Sequence, residues 1–266
     1  MQISLWLRAC CIGAFSLLAA CGAVQPEPAD ALAAAGDDPA ARAAAVLASN
    51  MRPAEDLADD ELRKPANVLA FTNIKPGMRV FEIEAGAGYY TELFSPLAGP
   101  DGEVVMQNPE SFDSFLGDAV ANRVNGRLDN VRVSKTNFDA LDAEDGSIDL
   151  VTWFLGPHEL YFTPNGGESL GDDEAAFAEI MRILKPGGTF VVLDHAARPD
   201  SPASTGGTLH RIDPAIVLQL AEDAGFVMTG ESDVLRNPDD KFDVGVFDPQ
   251  VRRKTNQFLY KFKKPE

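Results

Sequence analysis

The chain has 266 residues, 45% of them hydrophobic, with 41 acidic residues against 23 basic ones and a formal net charge of −18. That length suits one α/β domain plus an appendage, and the apolar content is enough for a sizeable core. So acidic a surface repels nucleic-acid backbones and anionic lipid, which argues against an RNA or DNA substrate.

The first elements are processing signals. Arg8 is a lone positive charge, followed by the apolar run Ala9 to Ala20, too short to span a bilayer as a mature helix, so residues 1–20 read as a signal peptide. The run ends in L-A-A-C-G, Leu18 to Gly22, which resembles a bacterial lipobox. That resemblance implies a lipid anchor on Cys21, an exported periplasmic lipoprotein, and, with Gly22 after the cysteine, the outer membrane if the cell is Gram-negative. The three cysteines are Cys10, Cys11 and Cys21, so the body beyond them has no disulfide partner and no thiolate for a metal. Residues 21–50 read as a lipidated tether. G-A-V-Q-P-E-P-A-D is flexible in composition, and D-D-P-A-A-R-A-A-A-V-L-A is helix-forming with Asp38 as N-cap and Pro39 at N1.

Residues 51–266 are the expected domain. Two short helices separated at Pro65 lead to N-I-K-P-G and a first strand containing Val80, Phe81 and Ile83. A glycine-rich turn, E-A-G-A-G, feeds a helix from Tyr90 to about Leu97. Glycines let a backbone approach a ligand closely, and a helix N-terminus offers free N–H groups. No G-K-[ST] follows, which excludes a Walker P-loop. Next come the strand E-V-V-M-Q, a turn running into a helix (N-P-E-S-F-D-S-F-L-G-D-A-V-A-N-R-V), the strand V-R-V-S-K and the loop N-F-D-A-L. The strand S-I-D-L-V-T-W-F-L is followed by an amphipathic helix that K-P-G-G ends, and then by T-F-V-V-L-D-H as strand five. A helix capped by Asp213 with Pro214 at N1 precedes two last strands, near Val227 to Leu235 and Gln257 to Phe262. Strands alternating with helices argue for a mostly parallel sheet with ligands at the strands' C-terminal ends.

V-F-E-I-E-A-G-A-G-Y-Y-T-E-L resembles motif I of class I S-adenosylmethionine-dependent methyltransferases, and D-G-S-I-D-L-V-T and R-I-L-K-P-G-G-T-F-V-V-L-D match later landmarks of that family. H-E-L-Y-F, D-H-A-A, H-R-I-D-P and T-N-Q-F-L-Y-K-F-K-K-P resemble an exported, lipoprotein-like bacterial subgroup. The resemblance implies a Rossmann-like, doubly wound seven-stranded sheet with a short N-terminal helical cap, S-adenosylmethionine as cofactor and a small-molecule substrate. It implies Glu82 as the motif I acid and Gly86 and Gly88 in the turn facing the methionine part. Gln107 and Asn108 stand where an acid normally grips the ribose hydroxyls. Asp139 stands at the acceptor for the adenine amino group, with Phe138 beside the ring and Phe154 under the cofactor. Glu84 replaces the first motif glycine, and either binds the cofactor's ammonium or obstructs the pocket. Arg63 or Lys64 is placed to reach the cofactor carboxylate.

The chain's three histidines, His158, His195 and His210, all follow the fourth or fifth strand, the edge where such a domain does chemistry. Methyl transfer asks mainly for in-line positioning and removal of a proton from the acceptor. His158 is expected as the base, with Asp194 or His195 next, and Glu159, Tyr161, His210 and Arg211 as substrate residues. Each histidine is also explained by an ordinary loop hydrogen bond. Two other readings stand beside the enzyme: a binding lipoprotein that has lost transfer, and a metal protein using His158, His195, His210 and Glu159. No H-E-x-x-H or similar tight spacing supports metal, and no metal ligand is assigned.

Overall fold

The computed structural model of the chain describes residues 28–163 and 166–266; the leader and Cys21 lie outside them. Seven strands form one sheet: β1 (Arg79–Ile83), β2 (Glu103–Gln107), β3 (Val131–Ser134), β4 (Ile148–Phe154), β5 (Leu184–His195), β6 (Val227–Ser232) and β7 (Gln257–Lys263). Their order is β3-β2-β1-β4-β5-β7-β6. The first five are parallel neighbours, and β7 runs antiparallel between β5 and β6. The winding reverses between β1 and β4, so a crevice opens at their C-terminal ends. This is the expected Rossmann-like, doubly wound sheet.

Alternation along the central strands builds the two layers. Phe81, Val105, Val151 and Phe190 enter one core with Phe177 and Ile180 of α9 (Asp173–Ile183). Their neighbours Val80, Val104, Leu150 and Val191 enter the other, with Leu93, Phe94 and Leu97 of α6 (Tyr89–Ala98). Both faces are covered, so these strands read as continuous apolar runs. Each such buried side chain contributes about 1.5–3 kcal/mol.

Five short helices precede the sheet: α1 (Pro28–Ala35), α2 (Pro39–Leu47), α3 (Ala54–Leu57), α4 (Asp60–Arg63) and α5 (Pro65–Thr72). Asp38 caps α2, accepting from the N–H of Ala40 at 3.0 Å. The expected tether up to residue 50 is corrected here. Ala43 and Val46 are 1% exposed, and the buried Arg42 donates to the carbonyls of Leu97 (2.7 Å) and Ile74 (3.4 Å). Small alanines let α2 pack closely, so it is part of the domain. The expected break at Pro65 is present, with Lys64 left-handed (φ 46°) before the proline, and the segment ahead of it is itself divided into α3 and α4 at Ala58–Asp59. The helix expected after β2 is also broken. A 3₁₀ turn (Glu110–Phe112) runs directly into α7 (Asp113–Leu116), and Gly117 at φ 51° parts α7 from α8 (Ala119–Val124). K-P-G-G does not detach strand five. β5 starts at Leu184 and absorbs the extra residues as a register shift between its pairings to Ile148 and Leu150. A 3₁₀ turn (Pro157–Tyr161) follows β4, and α10 (Thr205–Leu209) and α11 (Pro214–Asp223) follow β5. Asp213 caps α11 through the N–H of Ala215 at 3.0 Å, as its sequence implied.

Candidate functional site

A crevice of about 810 Å³ opens where β1, β4 and β5 end. That lies within the usual 300–1,000 Å³ range for small-molecule sites. The turn after β1, the α3–α4 cap, the three histidines and Val246–Phe247 line it.

The floor is the glycine turn. Gly88 has φ 84°, and a Cβ there would lie 2.8 Å from Cγ of Arg123, so both conformation and space require glycine. Glu84 also adopts a left-handed backbone, φ 55°, at a cost of roughly 1–2 kcal/mol for a non-glycine residue. Its N–H donates to Oε1 of Gln107 (2.9 Å) and its carboxyl accepts from the indole N–H of Trp153 (3.1 Å). A Cβ on Gly156 would sit 2.1 Å from Oε2 of Glu84. The absent side chain therefore gives the carboxyl a berth along the wall, and the hollow stays open beside it. Burial, reinforced by the charge of Glu159, pushes the Glu84 carboxyl well above the usual range. Glu82, 3% exposed, accepts from the Thr91 hydroxyl at 2.5 Å. Burial outweighs that bond and pushes its carboxyl up to about 8, so it is largely neutral at pH 7 and carries a proton it can donate.

Several residues expected at the cofactor do not reach the crevice. The buried amide of Gln107 is spent on the Glu84 N–H and the Thr136 carbonyl (2.5 Å). Asn108 closes on Gly86, accepting from its N–H (2.8 Å) and donating to its carbonyl (3.1 Å). Both amides shape the turn. Phe138 is in the core, its ring 5.0 Å from that of Trp153. Asp139 accepts from the N–H of Asp172 at 3.1 Å. Gly86 and Phe154 do line the cavity. So does Arg63, which pairs with Asp59 (3.2 Å) and lies 4.4 Å over the Tyr89 ring. Lys64 turns away to the Val234 carbonyl.

Sequence reasoning missed Phe112 and Phe115, whose rings are 4.7 Å apart at the rim. The paired aromatics of S-F-D-S-F were the available signal. It also missed Phe247, 65% exposed on the opposite bank, and no local pattern announced it.

All three histidines line the crevice, and so does Glu159. His158 shares a hydrogen bond between Nδ1 and Oδ1 of Asp194 (2.7 Å), while its backbone N–H donates to Oδ2 (2.9 Å). Its Nε2 is 3.1 Å from Oε1 of Glu159, and the same oxygen is 2.9 Å from Nδ1 of His210. Burial disfavours a charged His158, but Asp194 and Glu159 outweigh it and hold the ring up at about 10. Burial likewise works against the Glu159 carboxylate, yet the two imidazoles hold it down to about 2. His195 is the opposite case: burial and then the neighbouring charges of His158 and Arg211 hold it well below its ordinary value. Its Nδ1 is 2.6 Å from the Thr255 hydroxyl, and no other hydrogen bond engages its ring among the described residues.

The partners of the expected catalytic and substrate residues are as follows. Both ring nitrogens of His158 are hydrogen-bonded to carboxylates, Asp194 and Glu159. His195 keeps one ring nitrogen without a hydrogen bond among the described residues. Asp194 is fully buried and orients His158. Tyr161 donates its hydroxyl to Asp173 (2.6 Å) instead of facing the cavity. Arg211 is fully buried on Asp240 at 2.8 Å, so it is a structural ion, with no access to substrate.

Residues 82–192 match a family model described as a methyltransferase domain. The ubiquinone/menaquinone biosynthesis C-methyltransferase UbiE of Erwinia tasmaniensis is 30% identical over 172 residues, 63% of each chain. The chain thus spans less than two thirds of that curated relative's length. Among solved structures, an S-adenosylmethionine-dependent methyltransferase from Aquifex aeolicus superposes with a TM-score of 0.56 at 20% identity, over 90% of this chain and 99% of its own. The [4+2]-cyclase SpnF superposes at 0.52 and 17% identity, over 82% and 85%. The shared fold alone therefore does not fix the chemistry.

Proposed function

Because residues 82–192 match a methyltransferase-domain model and the chain shares the fold of a solved S-adenosylmethionine-dependent methyltransferase, we propose that this protein transfers a methyl group from S-adenosylmethionine to a small molecule. The observation that carries the reading is the crevice itself. About 810 Å³ is open, lined by Glu82, Glu84, Glu159 and His195 among others. Glu82, the backbone of the Gly86 turn, Glu84 and Arg63 would hold the donor, and the Phe112–Phe115 pair offers aromatic faces to a base. The donor supplies an electrophilic methyl on a sulfonium, a good leaving group. The protein's share is alignment and a base.

His195 fits the base. Thr255 pins one ring nitrogen, leaving the other for the acceptor. The ring also borders an adjoining pocket of about 200 Å³ lined by Leu62, Leu193, Leu235 and Phe247. An acceptor with an apolar body seats there. The Erwinia protein is named for ubiquinone/menaquinone biosynthesis. The acceptor gives its proton to His195 and its electron pair to the methyl carbon; the carbon–sulfur bond breaks and leaves S-adenosylhomocysteine.

Calorimetry on the full chain tests the donor site. Saturable micromolar binding of S-adenosylmethionine and S-adenosylhomocysteine is expected, and absence of both overturns the reading. Glu84→Gly relieves the left-handed strain while removing a carboxyl. If that carboxyl holds the ammonium, the change is expected to weaken S-adenosylmethionine and S-adenosylhomocysteine alike about tenfold, near 1.4 kcal/mol, since both carry that group. Tighter binding would mean that Glu84 obstructs. His195→Ala is expected to keep donor binding and lose transfer. One observation favours the second reading, a donor-binding lipoprotein without transfer: Gln107 and Asn108 are turned into the backbone where an acid would meet ribose. Donor binding with no acceptor turned over supports it.

The lipobox-like leader extends the proposal to the cell envelope, as a periplasmic lipoprotein anchored through Cys21. Cys21→Ser is expected to move the protein from the membrane to the soluble fraction; retention in the membrane removes the anchor.

A further inference from the structure

We propose that His158, Glu159 and His210 bind one divalent transition-metal ion of the zinc class at the acceptor end of the crevice. One donor atom from each lies within 4.8 Å of the others. Two imidazole nitrogens approach the same carboxylate oxygen, His158 Nε2 at 3.1 Å and His210 Nδ1 at 2.9 Å. Such a three-atom face, with the cavity on its open side, is the ligand set of a catalytic zinc site, which keeps its fourth position for water or substrate. Two nitrogens and one oxygen, without sulfur, suit Zn²⁺, Co²⁺ or Fe²⁺.

The groups behind the face fit the same purpose. A ligating histidine ordinarily gives its other N–H to a carboxylate, which fixes the tautomer and aims the ring. Here the fully buried Asp194 takes Nδ1 of His158 at 2.7 Å and its backbone N–H at 2.9 Å. Nε2 is thereby aimed at Glu159 and His210. The fold also goes to some length to deliver His210. A Cβ on Gly206 would lie 2.3 Å from the carbonyl oxygen of His158, and one on Gly207 would lie 2.3 Å from that of Tyr161. Two successive glycines thus seat α10 directly on the 3₁₀ turn that carries His158 and Glu159. His210 then leaves α10 with a left-handed backbone, φ 52°. Strain of this kind persists where surrounding structure enforces it, and it clusters at functional sites. A carboxylate oxygen can accept from both imidazoles, and the same convergence presents three donor atoms to one ion. The ligands come from separate segments, so no compact motif marks them.

Binding displaces the protons that the two rings share with Glu159. The open position then receives an acceptor oxygen beside His195, whose ring centre is 5.9 Å from that of His158, and lowers that oxygen's pKa. The site does not depend on donor binding, so its test is separate.

The test is titration of the chelator-stripped full chain with Co²⁺, followed by visible absorption. About one equivalent is expected, with the d–d band of a low-coordinate nitrogen–oxygen site that Zn²⁺ abolishes. Glu159→Gln and His210→Asn should each abolish the band while circular dichroism shows a folded chain. Asp194→Asn should weaken Co²⁺ about 10- to 100-fold, and His195→Ala should retain it. A wild-type chain that takes up no Co²⁺ overturns the proposal whatever the variants do. So does a band that survives both Glu159→Gln and His210→Asn.

Discussion

Arg123→Ala is expected to destabilise the chain by about 3–5 kcal/mol, the usual cost of stranding a buried charge, and to abolish donor binding in whatever fraction stays folded. The Arg123 guanidinium is buried between three elements. It makes two bonds to Asp56 of α3 (2.6 and 2.9 Å) and one to Glu92 of α6 (3.0 Å). Its Nε donates to the carbonyl of Ala87 in the glycine turn (3.0 Å). The same side chain thus fastens the N-terminal cap to the turn, and its methylenes fill the space that glycine leaves at position 88. Removing it leaves Asp56 buried without a cation, whereas Glu92 keeps Arg127 at 2.8 Å. The main loss is therefore assigned to Asp56, and a double variant separates it. Arg123→Met with Asp56→Asn should recover a large part of the stability, because the stranded charge is gone, yet still bind donor poorly, because the turn is unfastened. Urea unfolding and calorimetry read the two effects. A loss below about 1 kcal/mol would rank the network with ordinary surface pairs.

Which features the sequence disclosed follows from how local their causes are. The central strands were legible because both faces are buried, giving unbroken apolar runs such as Val80–Phe81 and Val104–Val105. The caps at Asp38 and Asp213 were legible because an acid before a proline at N1 bonds within its own first turn. The crevice was legible from strand ends and the glycine turn, and so was the gathering of three histidines on one edge. Roles were less legible, since they depend on partners far along the chain. Gln107 and Asn108 have side chains fit to hold a diol, but the turn's own backbone, 23 and 22 residues earlier, claims them. His158 stands where a base is wanted, and Asp194, 36 residues later, ties it up. Glu84 breaks the glycine pattern, and only Gly156 shows where its carboxyl goes. Arg211 beside His210 reads as a substrate pair; one faces the cavity and the other is sealed beneath it.

That sealed arginine carries the second large effect. Arg211→Ala is expected to lower stability by about 3–5 kcal/mol at neutral pH, with a deficit that shrinks in acid. Arg211 pairs with Asp240 at 2.8 and 3.1 Å and donates to the carbonyls of Ala196 (2.9 Å) and Val244 (3.0 Å). Asp240 also accepts from the backbone N–H groups of Phe242 (3.0 Å) and Asn256 (2.6 Å). One ion pair thus joins the end of β5 to the segment leading to Val246 and Phe247, which wall the crevice. Burial would raise the Asp240 carboxyl, but Arg211 and the two N–H groups outweigh it and hold it below its ordinary 3.8. A depressed folded value means that this stabilisation is present above the unfolded value and is lost as pH falls through the folded one. Without Arg211 the carboxyl takes up its proton at higher pH, and protonation removes the stranded charge. The gap between wild type and variant should therefore be widest near pH 7 and narrow progressively below about pH 5. Arg211→Met, which keeps most of the packing volume, should show the same pH trend. A gap independent of pH in both variants would assign the cost to lost packing, and Arg211 would then hold the crevice wall by shape alone.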